Sequence, residues 1–411
     1  MVRARGPRGV GERLAAGQDG RAALGSALDA RGVIPAVPGT AFPSRLHDER
    51  VAALLGLWLA AAFLTCFATG LYSHFAQHPL DVGLLSMPAG PGWLYRLTQG
   101  IHVAAGIVAV PLLLAKLWTV YPLLHVFPPV RSVAHLVERL ALVPLVAGSI
   151  FQLGTGLANI ARWYPWEFSF PSAHYWTAWM VIGGLVVHIG AKWTTTRRAL
   201  GKDARQSPEP SGTGLSRRGF LTTVGLGAGA VTLLTVGQTL RPLKEIALLA
   251  PRAPDIGPQG LPVNRTASGA GVLASARDPG YALVVEGRVG RPLRLSLDDL
   301  RALPQHEAEI AITCVEGWSA GARWGGVRLR DVLALADAPQ DAEVVVRSLQ
   351  QRGSYRSSRV NVPHAQHPDT LLALRVNGET LALDHGFPCR LISPNRPGVQ
   401  QTKWVERLEV V

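Results

Sequence analysis

The stretch SRRGFLTTVGLGAGAVTLLTVGQTL, Ser216–Leu240, divides this 411-residue chain into two unlike parts. An Arg pair leads into roughly 20 residues without a charge, enough for a helix to cross a ~30 Å hydrocarbon layer. Its Gly225–Ala230 segment imitates the glycine spacing of a dinucleotide-binding loop. No strand precedes it and its surroundings are apolar, so it reads as helix packing.

Four more apolar stretches of similar length lie upstream, at about 51–72, 99–121, 140–161 and 175–196. The expected architecture is an all-α transmembrane bundle of four helices over 44–200, followed by a fifth anchor helix at 219–240. Composition agrees: hydrophobic residues make up 48%, charged residues 17%, and the net charge is +13. Such a charge can signal nucleic-acid binding. Here Arg131, Arg139, Arg197, Arg198, Lys202, Arg205, Arg217 and Arg218 flank the apolar stretches. That placement reads as membrane orientation and argues against a nucleic-acid partner. By the positive-inside rule the N-terminus is cytoplasmic, and everything after the fifth helix is extracytoplasmic. Residues 1–43 lack periodicity and read as a disordered basic cytoplasmic arm, and 201–218 as a cytoplasmic linker. Three Cys without a CxxC pair exclude a disulfide scaffold, a zinc ribbon, c-type haem and Cys-ligated iron–sulfur clusters.

Histidines punctuate the apolar stretches. His47 opens the first, His102 lies near the outer end of the second, and His174 and His188 lie on the fourth. The last two are 14 residues apart. That is close to four helical turns, so both share one face, about 21 Å apart along the axis. Imidazoles on facing helices are the usual ligands of haem b, and intramembrane histidine is costly enough to mark function. His102 and His174 lie toward the outer side, His188 and His47 toward the inner.

This pattern resembles the bacterial diheme cytochrome b family of four-helix membrane proteins, over about residues 44–196. The resemblance implies two b-type haems, the outer held by His102 and His174, the inner by His47 and His188. A long loop after the first helix adds His74 and His78 as alternative outer ligands. His125 and His135 are alternative inner ones.

Downstream of Leu240 the chain changes character. Pro and Gly punctuate 241–279, which reads as a linker. YALVVEGRV, AEVVVRSLQ, CRLISP and KWVERLEVV read as strands, and Ser296 caps a short helix, SLDDLRALP. LLALRVNGETLAL is a hairpin turning at Asn377-Gly378. This is a soluble α+β domain over 280–411.

Within it, CVEGW at Cys314, W-x-G-V-x-L at Trp324, the NGE hairpin, HGFPCRLISP at His385 and KWVERLEV at Lys403 occur in one order. This set resembles the molybdopterin-binding domain of the sulfite oxidase family, including its periplasmic methionine sulfoxide reductase branch. The resemblance implies that Cys314 is the thiolate ligand of molybdenum. It places Arg390 and Lys403 at the pterin phosphate, with His385 and Arg356 as further cofactor or substrate contacts. Where the family carries a basic and a small hydroxyl residue, this chain has Gln400-Gln401. Cys389 and Cys66 read as buried structural thiols.

Ser216-Arg217-Arg218 resembles a twin-arginine export signal, the route that moves folded proteins. A molybdopterin domain loaded in the cytoplasm would need that machinery as a partner. The combined expectation is a multi-pass membrane oxidoreductase exchanging electrons between a quinone pool and a small extracytoplasmic substrate, with sulfoxide reduction favoured. Sulfite oxidation would want a basic cluster, for which Arg352, Arg356 and Arg359 are candidates. A third expectation is a non-catalytic binding domain on a cytochrome.

Overall fold

A computed structural model of the chain describes residues 46–79, 87–124, 132–201 and 214–411. The arm, His125, Arg131 and residues 202–213 of the linker fall outside these residues.

Five long helices come first: α1 Glu49–Gln77, α2 Leu94–Leu124, α3 Val133–Ile160, α4 Phe170–Leu200 and α5 Arg217–Val236. Asp48 caps α1 by accepting from Arg50 N and Val51 N, and Ser216 caps α5 by accepting from Gly219 N. Four of them, α1, α2, α3 and α5, are long and apolar enough to cross a membrane. The sequence expectation was five. Helix α4 has the length, at 31 residues, but it carries His174, His188, Lys192, Arg197 and Arg198. It packs against α1 and α3, and its Val181 and Leu185 join Leu55, Phe63 and Leu112 in the bundle core. The polar load that sets it apart is thus carried on a helix that is part of the packed bundle.

Helix α5 packs on α2. A Cβ built at Gly225, Gly227 or Gly229 meets nothing within 4 Å, so close helix packing does not explain those glycines.

The remaining chain starts with two short helices, α6 Ala267–Ala270 and α7 Leu273–Arg277. They bury Ala267, Val272 and Ala276 against Trp404, and Leu261 joins a second core beneath Trp324. Much of the stretch read as a linker is therefore packed structure. Next come β1 Ala282–Gly287, β2 Leu293–Ser296, α8 Leu297–Ala302, β3 His306–Thr313, β4 Ser319–Arg328 and α9 Leu329–Leu335. The domain closes with β5 Val344–Ser348, β6 Ser357–Val360, α10 Val362–Ala365, β7 Leu371–Val376, β8 Glu379–Thr380, β9 Arg390–Ile392 and β10 Val405–Val410.

These strands make two sheets. One runs β2-β1-β10-β5-β6, with β1 and β10 parallel. The other runs β3-β4-β7-β8, with β9 on β7, and its pairs are antiparallel. Turn chemistry behaves as the sequence predicts. Asn377 and Gly378 take φ of 50° and 88° between β7 and β8, the left-handed pair an Asn-Gly turn provides. Ser296 and Asp299 form a reciprocal capping box on α8.

Candidate active site

Cys314 follows β3 directly, in the five-residue turn Cys314–Trp318 that leads into β4. Cys314 N donates to Trp318 O at 2.9 Å and Gly317 N donates to Cys314 O at 3.0 Å, which closes the turn. Gly317 has φ 82°, a conformation that favours glycine. The Cys314 thiol is buried and accepts from Asn264 Nδ2 at 3.0 Å. Arg252 holds that amide through its Oδ1 at 3.1 Å. Burial pushes the thiol up to about 12, so without a metal it keeps its proton. Glu316 is buried beside it, and burial raises its carboxyl above the usual range. Arg162, 3.5 Å away, opposes that rise.

The second group is a cluster of cations on the second sheet and its flanks. Arg390 is buried on β9 over the Trp324 ring, 5.1 Å from its centroid. Its Nη1 donates to His385 O at 3.1 Å, while Nε is buried with no partner. Lys403 Nζ donates to Asp384 O at 2.6 Å and to Arg265 O at 3.0 Å. His385 is buried with Nε2 against Pro258 O at 2.6 Å. Burial brings Arg390 down to about 9, Lys403 to about 7 and His385 to about 4. The charges of Arg390 and Lys403 reinforce the drop at His385, which is neutral at pH 7. Two cations pinned on backbone carbonyls, one with a free buried N–H, suit an anionic ligand.

The histidines divide by position. His102 and His174 face each other with ring centroids 6.3 Å apart. His102 Nδ1 is engaged by Cys66 O at 2.9 Å and Thr69 Oγ1 at 3.1 Å. His174 Nδ1 is buried without a partner. A Cβ at Gly70 would lie 3.2 Å from His102 Cε1, and one at Gly156 3.8 Å from His174 Cε1, so glycines keep the space beside both rings open. Toward the other end of the bundle, His47 Nδ1 meets Thr119 O at 3.1 Å, leaving Nε2 buried and unpartnered. His188 Nδ1 is likewise buried and unpartnered. His74 stacks on Tyr175 at 3.9 Å and on His78 at 4.7 Å.

One cavity of about 630 Å³ joins the outer histidines to the thiol; Arg390, Lys403, His385, His47 and His188 do not line it. Its lining includes His102 and His174 from the bundle and Cys314, Glu316 and Asn264 from the other side. His74, His78 and Tyr355 lie along it as well. Arg356 does not line it; the residue is exposed, with Nη1 on Gln351 O at 3.2 Å. Arg359 pairs with Glu343 at 2.5 Å, and Arg352 is exposed. Cys314, Cys389 and Cys66 are all free thiols, and Cys389 sits in the core of the first sheet, apart from Cys314. Sequence reasoning missed Asn264, Glu316 and Arg162. The position of Glu316 inside CVEGW was the one local signal available.

Residues 271–411 match the family described as the oxidoreductase molybdopterin binding domain. This part of the chain is a molybdopterin-binding oxidoreductase domain. Among curated proteins, one described as a methionine-sulfoxide reductase subunit of Azospira oryzae is 36% identical over 130 residues, 32% of this chain and 48% of that protein. Sulfite oxidase of Arabidopsis thaliana is 28% identical over 164 residues, 32% of this chain and 42% of that one. Mitochondrial sulfite oxidase of Homo sapiens is 34% identical over 157 residues, 32% of this chain and 29% of that one. The chain thus spans less than half the length of these relatives. A crystal structure of the sulfane dehydrogenase SoxCD from Paracoccus pantotrophus aligns over 32% of this chain and 38% of that one, at 24% identity and a TM-score of 0.30. In the molybdopterin-binding domain, the buried thiol and the carbonyl-anchored cations are the chemistry such a cofactor needs: a soft ligand for the metal and fixed charge for a phosphate.

Proposed function

We propose that this chain is a membrane-anchored, molybdopterin-dependent oxidoreductase whose helix bundle carries electrons to or from its own catalytic domain. The observation behind this reading is the shared cavity, which His102, His174 and Cys314 all line. Cys314 is the molybdenum ligand in this reading, Asn264 donates to its sulfur, and Arg390 and Lys403 hold the pterin phosphate. His102 and His174 hold one b-type haem. A metal–imidazole bond is roughly 2.0–2.1 Å, so two opposed imidazoles on one ion put their ring centres roughly 6–6.5 Å apart. The 6.3 Å seen here fits that spacing. His47 Nε2 and His188 Nδ1, buried and free, support a second haem at the inner end. When bound, molybdenum supplies two-electron oxygen-atom exchange and the haems supply one-electron relay to a quinone pool.

The residues favour a neutral substrate, which suits reduction of a sulfoxide: R₂S=O with two electrons and two protons gives R₂S and water. Glu316 lines the cavity two residues from Cys314, and its carboxylate would repel an anion such as sulfite. Arg352, Arg356 and Arg359 do not supply the basic cluster that sulfite oxidation would want; Arg265 is the arginine on the lining.

The Lys and Arg distribution supports a cytoplasmic N-terminus and an extracytoplasmic domain. Arg217-Arg218, at the start of α5, would direct export of the folded domain. Changing both to Lys should leave the domain on the cytoplasmic side.

The deciding experiment uses full-length protein from a host that makes the cofactor. About one molybdenum and two iron atoms per chain, with b-type absorption bands, are expected. Methionine sulfoxide should reoxidise the dithionite-reduced bands. If sulfite instead reduces the oxidised bands, the direction is reversed. Iron without molybdenum would leave a cytochrome carrying a binding domain.

A further inference from the structure

Resting on that reading, we infer that Gln99 and Asn159, two amides on the bundle's helices, are positioning residues for the turn that carries Cys314. Val315 O lies one residue beyond the thiol, at the tip of the β3–β4 hairpin. It accepts from Asn159 Nδ2 at 3.3 Å and from Gln99 Nε2 at 3.4 Å. The two donors come from different helices, α3 and α2, and both side chains are buried. Tyr164 OH donates to Asn159 Oδ1 at 2.9 Å, so the Asn159 amide is held from both ends.

A carbonyl held by two donors fixes the plane of the Val315–Glu316 peptide, and with it the direction in which the preceding residue projects its sulfur. Gln99 lies three residues before His102, on the same face of α2. One turn of that helix therefore sets both a histidine of the cavity and the thiol across from it. The rest of the turn is gripped as well. Thr239 Oγ1 donates to Gly317 O, and Ser319 N donates to Gln238 O at 2.9 Å. A Cβ at Gly317 would come within 2.8 Å of Val103 Cγ2, so the turn lies directly on α2. Other bonds between the two halves hold the domain elsewhere. Asn395 Oδ1 accepts from Tyr95 N at 2.8 Å, and Gln400 Nε2 donates to Gln77 O at 2.6 Å. Gln99 and Asn159 instead act on the carbonyl next to the ligand. The metal site of this chain is then completed by its membrane helices.

The test replaces both amides by groups of similar volume without an N–H donor, Gln99→Met and Asn159→Leu, in the full-length chain. Molybdenum and haem content should stay at wild-type levels. The Mo(V) electron paramagnetic resonance signal should shift or split into more than one species. In cofactor-free protein, iodoacetamide should alkylate Cys314 about tenfold faster, read on the Cys314 peptide by mass spectrometry. A loss of general stability would lower yield without changing the Mo(V) signal of the molecules that remain. A double variant with the wild-type signal and wild-type alkylation rate overturns the inference. If the double variant does not accumulate, Gln99→Met alone is held to the same criteria, with an acceleration of about threefold. A chain that never holds molybdenum sinks the functional reading instead, and the alkylation rates still decide this one.

Discussion

The helix bundle and the molybdopterin-binding domain both bury titratable side chains, and what they leave unpaired differs: ring nitrogens of His47, His174 and His188 in the bundle, and in the domain the Nε of Arg390 and Arg396 with one ring nitrogen of His364. In the domain, Arg390, Lys403 and His385 are each tied to a backbone carbonyl. In the bundle, His47, His174 and His188 each keep a buried ring nitrogen with no partner. Buried polar atoms in folded proteins are nearly always satisfied, so the difference is informative. A side chain pinned on carbonyl oxygens is held rigid in one place for an incoming anion. An imidazole nitrogen left free in an apolar interior is open to a ligand, which is what the proposed haem would supply. The cavity between the two halves is lined by His102 and His174 from one and by Cys314 from the other.

The severest way to break this contrast is to remove the thiol. Cys314→Ala should cut substrate turnover by more than about 100-fold, beyond what loss of an outer-sphere partner costs, while the b-type bands persist. Turnover and difference spectra on one preparation check both halves at once. Wild-type turnover in that variant would end the role of Cys314. The complementary change is His102→Leu or His174→Leu. About half of the b-type absorbance should disappear while molybdenum content holds, and reoxidation of the remaining haem by substrate should slow at least about tenfold. Equal loss of both metals would mean that the halves cannot be loaded separately.

Weakening the cation cluster should have a smaller effect. Arg390→Met should lower cofactor retention by about 10–100-fold, read as molybdenum per chain after gel filtration. The pH dependence follows from Lys403. In the cofactor-free chain its folded-state value is about 7, against an ordinary 10.5. Between those limits the unfolded chain binds the proton and the folded chain does not, so stability of the cofactor-free protein should rise with pH across that window. Phosphate recognition needs the charged form, so affinity for the cofactor should fall over the same range. Loading experiments at pH 6 and pH 9 would show whether these two trends run in opposite directions, as the cluster requires.

The contrast also explains what the sequence discloses. Asn377-Gly378 and the Ser296 cap are legible because they solve their hydrogen bonds within a few residues. The helices are legible because apolar length is local, although α4 departs from the expected apolarity where it carries the histidines. Cys314, Arg390 and Lys403 are legible as candidates because they sit in motifs of fixed order. Asn264, Gln99, Asn159 and Arg162 are not. Each reaches the Cys314 turn from 50 or more residues away, and for Gln99, Asn159 and Arg162 it is the docking of the two halves that brings them there. Arg356, also placed at the site by resemblance, is exposed, and like Arg390, Lys403 and His385 it does not line the cavity.

The smallest expected effect tests whether stability and site can be separated. Ser296 caps α8 at the far edge of the first sheet, and its side chain exchanges hydrogen bonds with Asp299. Ser296→Ala should cost about 1 kcal/mol of domain stability, the usual range for a lost N-cap. None of the groups that face the cavity touches this box, and sites without shared partners are nearly additive. Denaturant midpoints should therefore fall while molybdenum content, b-type bands and the Mo(V) signal stay at wild-type values. A shift in the Mo(V) signal would show that the first sheet transmits strain to Cys314. The turn would then be positioned by the whole domain, and not chiefly by the helices it rests on.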